Sequence, residues 1–520
     1  MVVFLKKGIA ILLSLVMLFA VCGCSVIDNF KKASETPKPE KETNEQESIK
    51  DNSITIGVVE LDTYNPLVTK SVTMKNMLGF IFEPLFTLDE NQNTVGVLAE
   101  TCETSPDGKS IIIKLKQNVI WHDGALFTAN DVVYTVKAIL NSETNYGHLL
   151  ENVASVSASD TQTVNVAFKR SVPEPALLMT FPVIKSGSLS GTFRAIGTGP
   201  FYLDYDKLSR FDSYYGKKAK LDCVKVKSIP DNDKFISLFN ASVVDIADSE
   251  MIDMTEYTPR SNANVHGYVS DEMVFVGFNT NDDVFRYPEA RRSVYAVIDR
   301  QNIASHIYFS RAEAAHYPMN PTRPFYPKTT ENMHSDHGTA EKELRDGKWQ
   351  KDKRGVYFRS NAGGVTYFGV EILVNSEDKE RMKIAAEISD TMTDLGMRNT
   401  ITTCSEAEFK TRVLNGNYDM FVGKTELLPN NDLTDFLLTD NIFGYSDEEA
   451  EILLSQLGTL TTDEDKESVY GQLFELLKEK CPIAPVCFLK DSLITSAKLK
   501  SGVSPSVTGA VVMTGNWSVK

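Results

Sequence analysis

The chain has 520 residues, 42% of them apolar, and carries 54 Lys and Arg against 70 Asp and Glu, a net charge of −16. That acidity argues against nucleic acid or anionic lipid as a partner, because both need a basic stripe. Ordinary apolar content with only one long apolar run leaves a body large enough for two or three lobes and no transmembrane transport path.

Lys6 and Lys7 precede the apolar run Ile9 to Val21, too short to span a bilayer comfortably but right for the core of a signal peptide. It ends in Val21-Cys22-Gly23-Cys24, which resembles the bacterial lipobox: small residues before a cysteine whose thiol takes a diacylglycerol before cleavage. Cys22 is the rival, with bulky Val21 fitting badly before it, and an uncleaved anchor is the alternative. Residues 1–23 are therefore expected to be a signal peptide and Cys24 the lipidation site. Two acyl chains at about 0.8 kcal/mol per buried methylene suffice for stable anchoring. Residues 24–52 turn to Lys, Glu, Pro, Thr and Asn, which cannot offset ordering entropy by burial, and read as a flexible tether reaching about 30 Å.

Ile54 to Val59 reads as a buried strand, and the Asp107-Gly108 turn leads into a second strand, Ser110 to Gln117. Trp121-His122-Asp123-Gly124 is a turn, after which Thr128 and Asp131 form a capping box opening a helix with Val132, Val136 and Ile139 on one face. Val243 to Ala247 is a strand, Pro288 opens a helix running toward Asp299, and Pro318, Pro321, Pro324 and Pro327 mark an irregular crossing. Val365–Val374, Glu377–Leu395 closed by Gly396, Thr400–Thr403, Glu406–Leu414 and Tyr418–Val422 then read as βαβαβ, which implies a parallel sheet covered by helices. Ser446 with Glu449, and Thr462 with Asp465, are two further capping boxes. Besides Cys22 and Cys24 there are Cys102, Cys223, Cys404, Cys481 and Cys487, an odd set without metal-ligand spacing that leaves at least one free thiol; Cys481 and Cys487, which flank Pro482 and Pro485, could pair, but the fold is not expected to depend on a disulfide.

Several strings follow one another in a family order: Leu61 to Pro66, Phe82-Glu83-Pro84-Leu85, Trp121 to Gly124 with Phe127-Thr128-Ala129 and Asp131-Val132-Val133, Gly197-Thr198-Gly199-Pro200-Phe201, and Gly277-Phe278-Asn279-Thr280. Ala290-Arg291-Arg292 with Ile298-Asp299-Arg300, Leu344 to Trp349, and Tyr445-Ser446 extend the match over Ile54 to Lys520. Together they resemble the family 5 extracellular solute-binding proteins, the oligopeptide, dipeptide and nickel receptors of ABC importers. The resemblance implies an α/β, two-lobed periplasmic-binding-protein-like clamshell of class II, three-segment type, with mixed and parallel sheets flanked by helices. Lobe 1 would comprise residues 53–72, 197–275 and 490–520, its family-specific extension 73–196, and lobe 2 276–489. The resemblance further implies that oligopeptides or dipeptides are captured by closure of the lobes and handed to ABC permease subunits, by a monomeric, lipid-anchored receptor on the outer face of the cell membrane. Cys102 stands where the family pattern has tryptophan, and Asn118 replaces its usual glycine. Oligopeptide receptors place an aspartate for the peptide amine near Leu427 to Asp432, where no unambiguous counterpart aligns although Glu426, Asp432 and Asp435 are nearby.

Candidate ligand contacts by position are Glu60, Leu61 and Asp62 after the first strand, Asp248 and Ser249 after the strand from Val243, Phe278 and Asn279 near the crossing to the last lobe, and Lys424, Thr425 and Glu426 opposite, where strand ends of an open sheet meet ligands. Trp121 and His122 read as a packed corner. A nickel or metal-chelate receptor is the first alternative to a peptide receptor, with His334-Ser335-Asp336-His337 the one histidine cluster; an enzyme is the second and a peptide sensor the third. No Gly-x-Ser-x-Gly elbow, His-Glu-x-x-His pair or Walker loop supports an enzyme, and no metal ligand set or cofactor is assigned.

Overall fold

The computed structural model describes residues 51–251, 262–328, 333–361, 363–438 and 441–520. The expected signal peptide, Cys24 and the expected tether up to residue 50 lie outside them. No helix among the described residues is long and apolar enough to cross a membrane.

The first lobe opens with the strand Ser53–Val58, whose Ile54, Ile56 and Val58 are buried. It pairs in parallel with Cys223–Ser228, and the sheet continues through Lys207–Arg210 to Phe201–Asp204. An antiparallel sheet of Ala99–Thr104, Ser110–Leu115, Thr163–Phe168 and Val153–Ala158 builds the extension. The helix Ala129–Asn141 contacts its last two strands and buries Val132, Val136 and Ile139. Its capping box forms as the spacing predicts: the Thr128 amide donates to Asp131 at 2.8 Å. Asp131 does more than cap, because it also accepts from the Ser186 amide at 2.8 Å and Trp121 Nε1 at 3.4 Å.

The Trp121-His122 turn is a corner fastened to the Gly197–Phe201 connection. The Gly197 amide donates to His122 Nδ1 at 3.2 Å, which leaves Nε2 as the donor to the Gly199 carbonyl at 2.9 Å. Both glycines are required by close approach: a Cβ on Gly197 would lie 1.9 Å, and on Gly199 2.7 Å, from the Ile81 carbonyl oxygen. Asn118 has φ +60°, a left-handed conformation that asparagine tolerates better than most residues, so it can fill a glycine's place.

The second lobe is built on one mixed sheet with both faces covered. Along Ala263–Phe278, residues Val274, Val276 and Phe278 face one core while Met273 and Phe275 face another, as the two-residue period of a strand dictates. The expected βαβαβ series is present: Gly369–Asn375 pairs in parallel with both Arg398–Cys404 and Met420–Glu426. Asp378 caps the intervening helix Lys379–Leu395, and Gly396 ends it with φ +88°.

Three readings need correction. The strand expected over Val243–Ala247 is Ile246–Asp248, so Asp248 closes the strand and does not follow it. The single strand expected over Val365–Val374 is two: Gly364–Tyr367 pairs with Tyr357–Asn361 in a separate sheet, and Gly369–Asn375 enters the main one. Between them Phe368 is fully buried against Trp349 and Phe285, which anchors the break. The cap expected at Ser446 is one residue later, where Asp447 accepts from the amides of Glu449 and Ala450; a carboxylate there also meets the positive end of the helix. Cys102, Cys223, Cys404, Cys481 and Cys487 are all free thiols.

The lobes are joined by two long antiparallel strands, Ala263–Phe278 and Ile483–Ser496. Pairing is regular from Ala263 to Val269, slips, and resumes at Met273, so Ser270-Asp271-Glu272 face a shorter stretch at Leu489. Such a bulge bends a ribbon and increases its twist. It marks the crossing.

Candidate ligand-binding cleft

A cavity of about 600 Å³ lies at this crossing, within the size range of small-ligand pockets. Its floor is Tyr268, Ser270, Asp271, Glu272 and Asp491 of the crossing strands. Asp248 and Glu250 approach from the first lobe, Glu426, Leu427 and Pro429 from the second. Phe82, Tyr146 and the C-terminal loop Ser506 to Val512 supply apolar wall. That loop is seated by Thr508, whose hydroxyl is 2.7 Å from that of Thr87, and by close approach of the Val511 carbonyl to Gly79, where a Cβ would be 2.2 Å away.

Among the described residues six carboxylates line this space, against Lys75 as the one lysine or arginine and His148 as the one histidine, which acts on Glu426. Two are neutralised from behind: Asp271 pairs with Arg323 at 2.7 Å, both nearly inaccessible, and Glu272 with Lys424 at 2.6 Å. Asp248, Glu250, Glu426 and Asp491 have no Lys or Arg nitrogen within 4 Å among the described residues. Asp248 Oδ2 accepts from Asn76 at 3.2 Å and its Oδ1 from the Glu250 amide at 3.0 Å. Burial raises the pKa of Asp248, and burial with repulsion from Asp248 raises that of Glu250. Burial again, with Glu250, Asp248 and Glu272 adding to it, pushes Asp491 up to about 6. Glu272 and Glu426 are direct partners across adjacent strands, a like-charge pairing that costs stability.

Of the positions expected to touch ligand, Asp248 and Glu426 line the cavity and the other eight do not. Glu60 and Leu61 are exposed on the loop after the first strand. Asp62 accepts from Thr69, Lys70 and Thr63; these hydrogen bonds outweigh a desolvation that opposes them and hold its carboxyl low. Ser249 Oγ accepts from the Ser492 amide at 2.8 Å, pinning the strand that carries Asp491. Lys424 acts through Glu272, and Thr425 pairs with Met273 in the ladder. Phe278 is fully buried 5.0 Å from the Phe285 ring, and Asn279 donates to the carbonyls of Gly416 and Tyr418. Glu250, Asp491, Tyr268 and the Ser506–Val512 loop escaped the sequence reading. One signal was present: Lys490-Asp491-Ser492 and Ser270-Asp271-Glu272 interrupt otherwise apolar strands.

Asp432 and Asp435, the other acids near Leu427, are engaged across the lobes, where Arg170 reaches them at 2.5 and 2.8 Å. Asn430 donates to the Pro173 carbonyl and Asn431 to Glu174 beside it, both at 2.9 Å. The histidine cluster lies elsewhere: His334 Nδ1 is 3.0 Å from Asp299, and Asp336 caps the helix His337–Asp346. Among the described residues no three His, Cys, Asp or Glu side chains come together as a metal site.

Two lobes strung on a pair of crossing strands, with a cavity at the crossing, define a solute-binding protein. Residues 93–439 match the family described as bacterial extracellular solute-binding proteins, family 5 Middle, and the chain belongs to that family. The chain is 22% identical to the oligopeptide-binding protein AppA of Bacillus subtilis over 92% of each chain. The structure of that protein in complex with a nonapeptide superposes with a TM-score of 0.61 over 90% of this chain and 99% of the other, at 19% identity. NikZ of Campylobacter jejuni in complex with Ni(L-His) gives 0.62 at 19% identity, covering 90% and 100%. The murein tripeptide binding protein MppA in its unliganded open form gives 0.75 at 16% identity, covering 90% and 98%. These relatives are binding proteins, not enzymes.

Proposed function

We propose that the chain captures peptides in the cleft at its crossing strands and delivers them to an ABC permease, held at the outer face of the cytoplasmic membrane by a lipid on Cys24. The observation that carries this reading is the cavity of about 600 Å³ between the lobes, lined by both of them and floored by a bulged two-strand crossing, in a family that includes an oligopeptide-binding relative. A solute touching Asp248 and Glu426 together stabilises the closed arrangement through contacts unavailable when the lobes part. The lipid and tether keep such a receptor within reach of its permease.

Native mass spectrometry of the purified protein tests the peptide reading. A series of bound peptide masses is expected, whereas a single nickel chelate or sugar would overturn it. Labelling with radioactive palmitate tests the anchor: incorporation that disappears in Cys24→Ala is expected, and unchanged incorporation would refute it.

A further inference from the structure

We propose that the cleft selects solutes carrying two or more ammonium or guanidinium groups, and so takes basic peptides in preference to neutral or acidic ones. The inference rests on the reading of the cavity as the solute site and adds the charge of what fills it.

Among the described residues the charged side chains of the cavity are six acids against Lys75. Asp248, Glu250 and Asp491 gather on the first-lobe side and Glu426 stands on the second, all four without an ion-pair partner among the described residues. Asp248 is only 4% exposed and its two accepted hydrogen bonds come from neutral donors, so the one positive charge acting on it is Lys75, which makes no ion pair with it. Buried carboxylates are ordinarily paired because desolvation disfavours an isolated charge. Here Asp248 alone is both buried and without an ion pair; Glu250 and Glu426 are exposed on the cavity wall, Asp491 is half-buried, and Glu426 is set directly across the ladder from Glu272. Folding gains nothing from that arrangement, whereas a bound cation would turn each repulsion into an attraction. Burial raises the pKa of Asp248, and burial with repulsion from neighbouring acids raises those of Glu250 and Asp491, shifts that a bound cation would reverse.

The carboxylates do not converge as a metal site, which favours an extended organic cation over a bare ion. Phe82, Tyr146 and Tyr268 offer surface for the apolar stem that carries such a group. Lysine side chains, a peptide's terminal amine and free polyamines share this chemistry, and the binding arms separate them.

Isothermal titration of the purified protein with trilysine, trialanine, triglutamate and spermidine tests the proposal. Trilysine is expected to bind at least about tenfold tighter than trialanine, with triglutamate weakest, and its affinity to fall as salt rises from about 0.05 to 0.5 M. Glu250→Gln with Asp491→Asn, on the accessible part of the wall, should cut the trilysine-to-trialanine ratio by about tenfold or more. Glu426→Gln, on the other lobe, should lower it independently. Equal binding of trialanine and trilysine, or a ratio unchanged in every variant, would overturn the charge preference while leaving the peptide reading intact. Spermidine binding without any peptide would support selection by charge but overturn the peptide reading, and silence from all four would overturn both.

Discussion

The corner at His122 makes a quantitative prediction. With the Gly197 amide on Nδ1 and the Gly199 carbonyl on Nε2, the ring is locked in its neutral form. Burial pushes its pKa down to about 4, against upward pulls from the Gly199 hydrogen bond and Asp123. In the unfolded chain the same ring titrates near 6.5. Because the folded value is the lower one, the unfolded chain takes up a proton that the folded ring refuses. The corner's contribution is complete above pH 6.5 and drains away as pH falls toward 4. That interval corresponds to roughly 3 kcal/mol. His122→Asn removes the titration and loses one or both hydrogen bonds, so at pH 7 the variant should be less stable by about 1–3 kcal/mol. As pH falls to 4 the gap should close or reverse. Urea unfolding at pH 7, 5.5 and 4, followed by tryptophan fluorescence, measures it, since Trp121 adjoins the corner. A gap that stays constant across that range would refute the reasoning.

Gly197→Ala drives a Cβ to 1.9 Å from the Ile81 carbonyl oxygen and should cost about 1–3 kcal/mol through the backbone shift it forces; an unchanged urea midpoint would show that the connection is looser than its geometry. Arg170→Met leaves Asp432, whose side chain is 2% exposed, unpaired at the lobe contact. It should shift the lobes toward an open form at a cost of about 1–3 kcal/mol to the closed one. Small-angle scattering of the ligand-free protein should then show a larger radius of gyration, and no change would deny the ion pair a part in closure. Cys24→Ala should release the protein into the medium and abolish peptide uptake while the secreted form keeps its affinity; a fall in affinity would give the tether a role in binding.

Local order was legible from sequence wherever one segment decided the outcome. The capping box at Thr128 and Asp131, the glycine that ends Lys379–Leu395 and the parallel series around Gly369–Asn375 each follow from spacing within a few residues. The Phe368 break was not legible, because a buried aromatic amid β-formers looks like more strand until its partners Phe285 and Trp349 are known. For the cleft, the rule that ligands meet strand ends led to Asp248 and Glu426, which close the strands Ile246–Asp248 and Met420–Glu426. Phe278 lies seven residues beyond the bulge at Asp271, a distance of about 20 Å along an extended strand. The opposed acids come from stretches about 150 residues apart, so only the folded ladder reveals that Glu272 faces Glu426.

Charge and closure are linked through those same residues. Glu426 belongs to the second lobe and the group of Asp248, Glu250 and Asp491 to the first, so bringing the lobes together compresses like charges across the cavity. Two unit charges 4 Å apart at an effective dielectric constant of 20 interact by about 4 kcal/mol, and the sign alone decides whether that opposes or favours approach. The Arg170 pair with Asp432 and Asp435 pulls the other way, supplying attraction that is independent of the solute. A receptor poised between these terms needs a differential affinity of roughly 10⁴ to pass from mostly open to mostly closed. A neutral solute would have to find all of it in dispersion and hydrogen bonds, while a multiply charged cation gains it by reversing the repulsion that held the lobes apart. On the proposed charge preference, then, selectivity and the closing motion are one property of the acidic wall. Trilysine should compact the protein in scattering more completely than trialanine at equal occupancy, and equal compaction would separate the two.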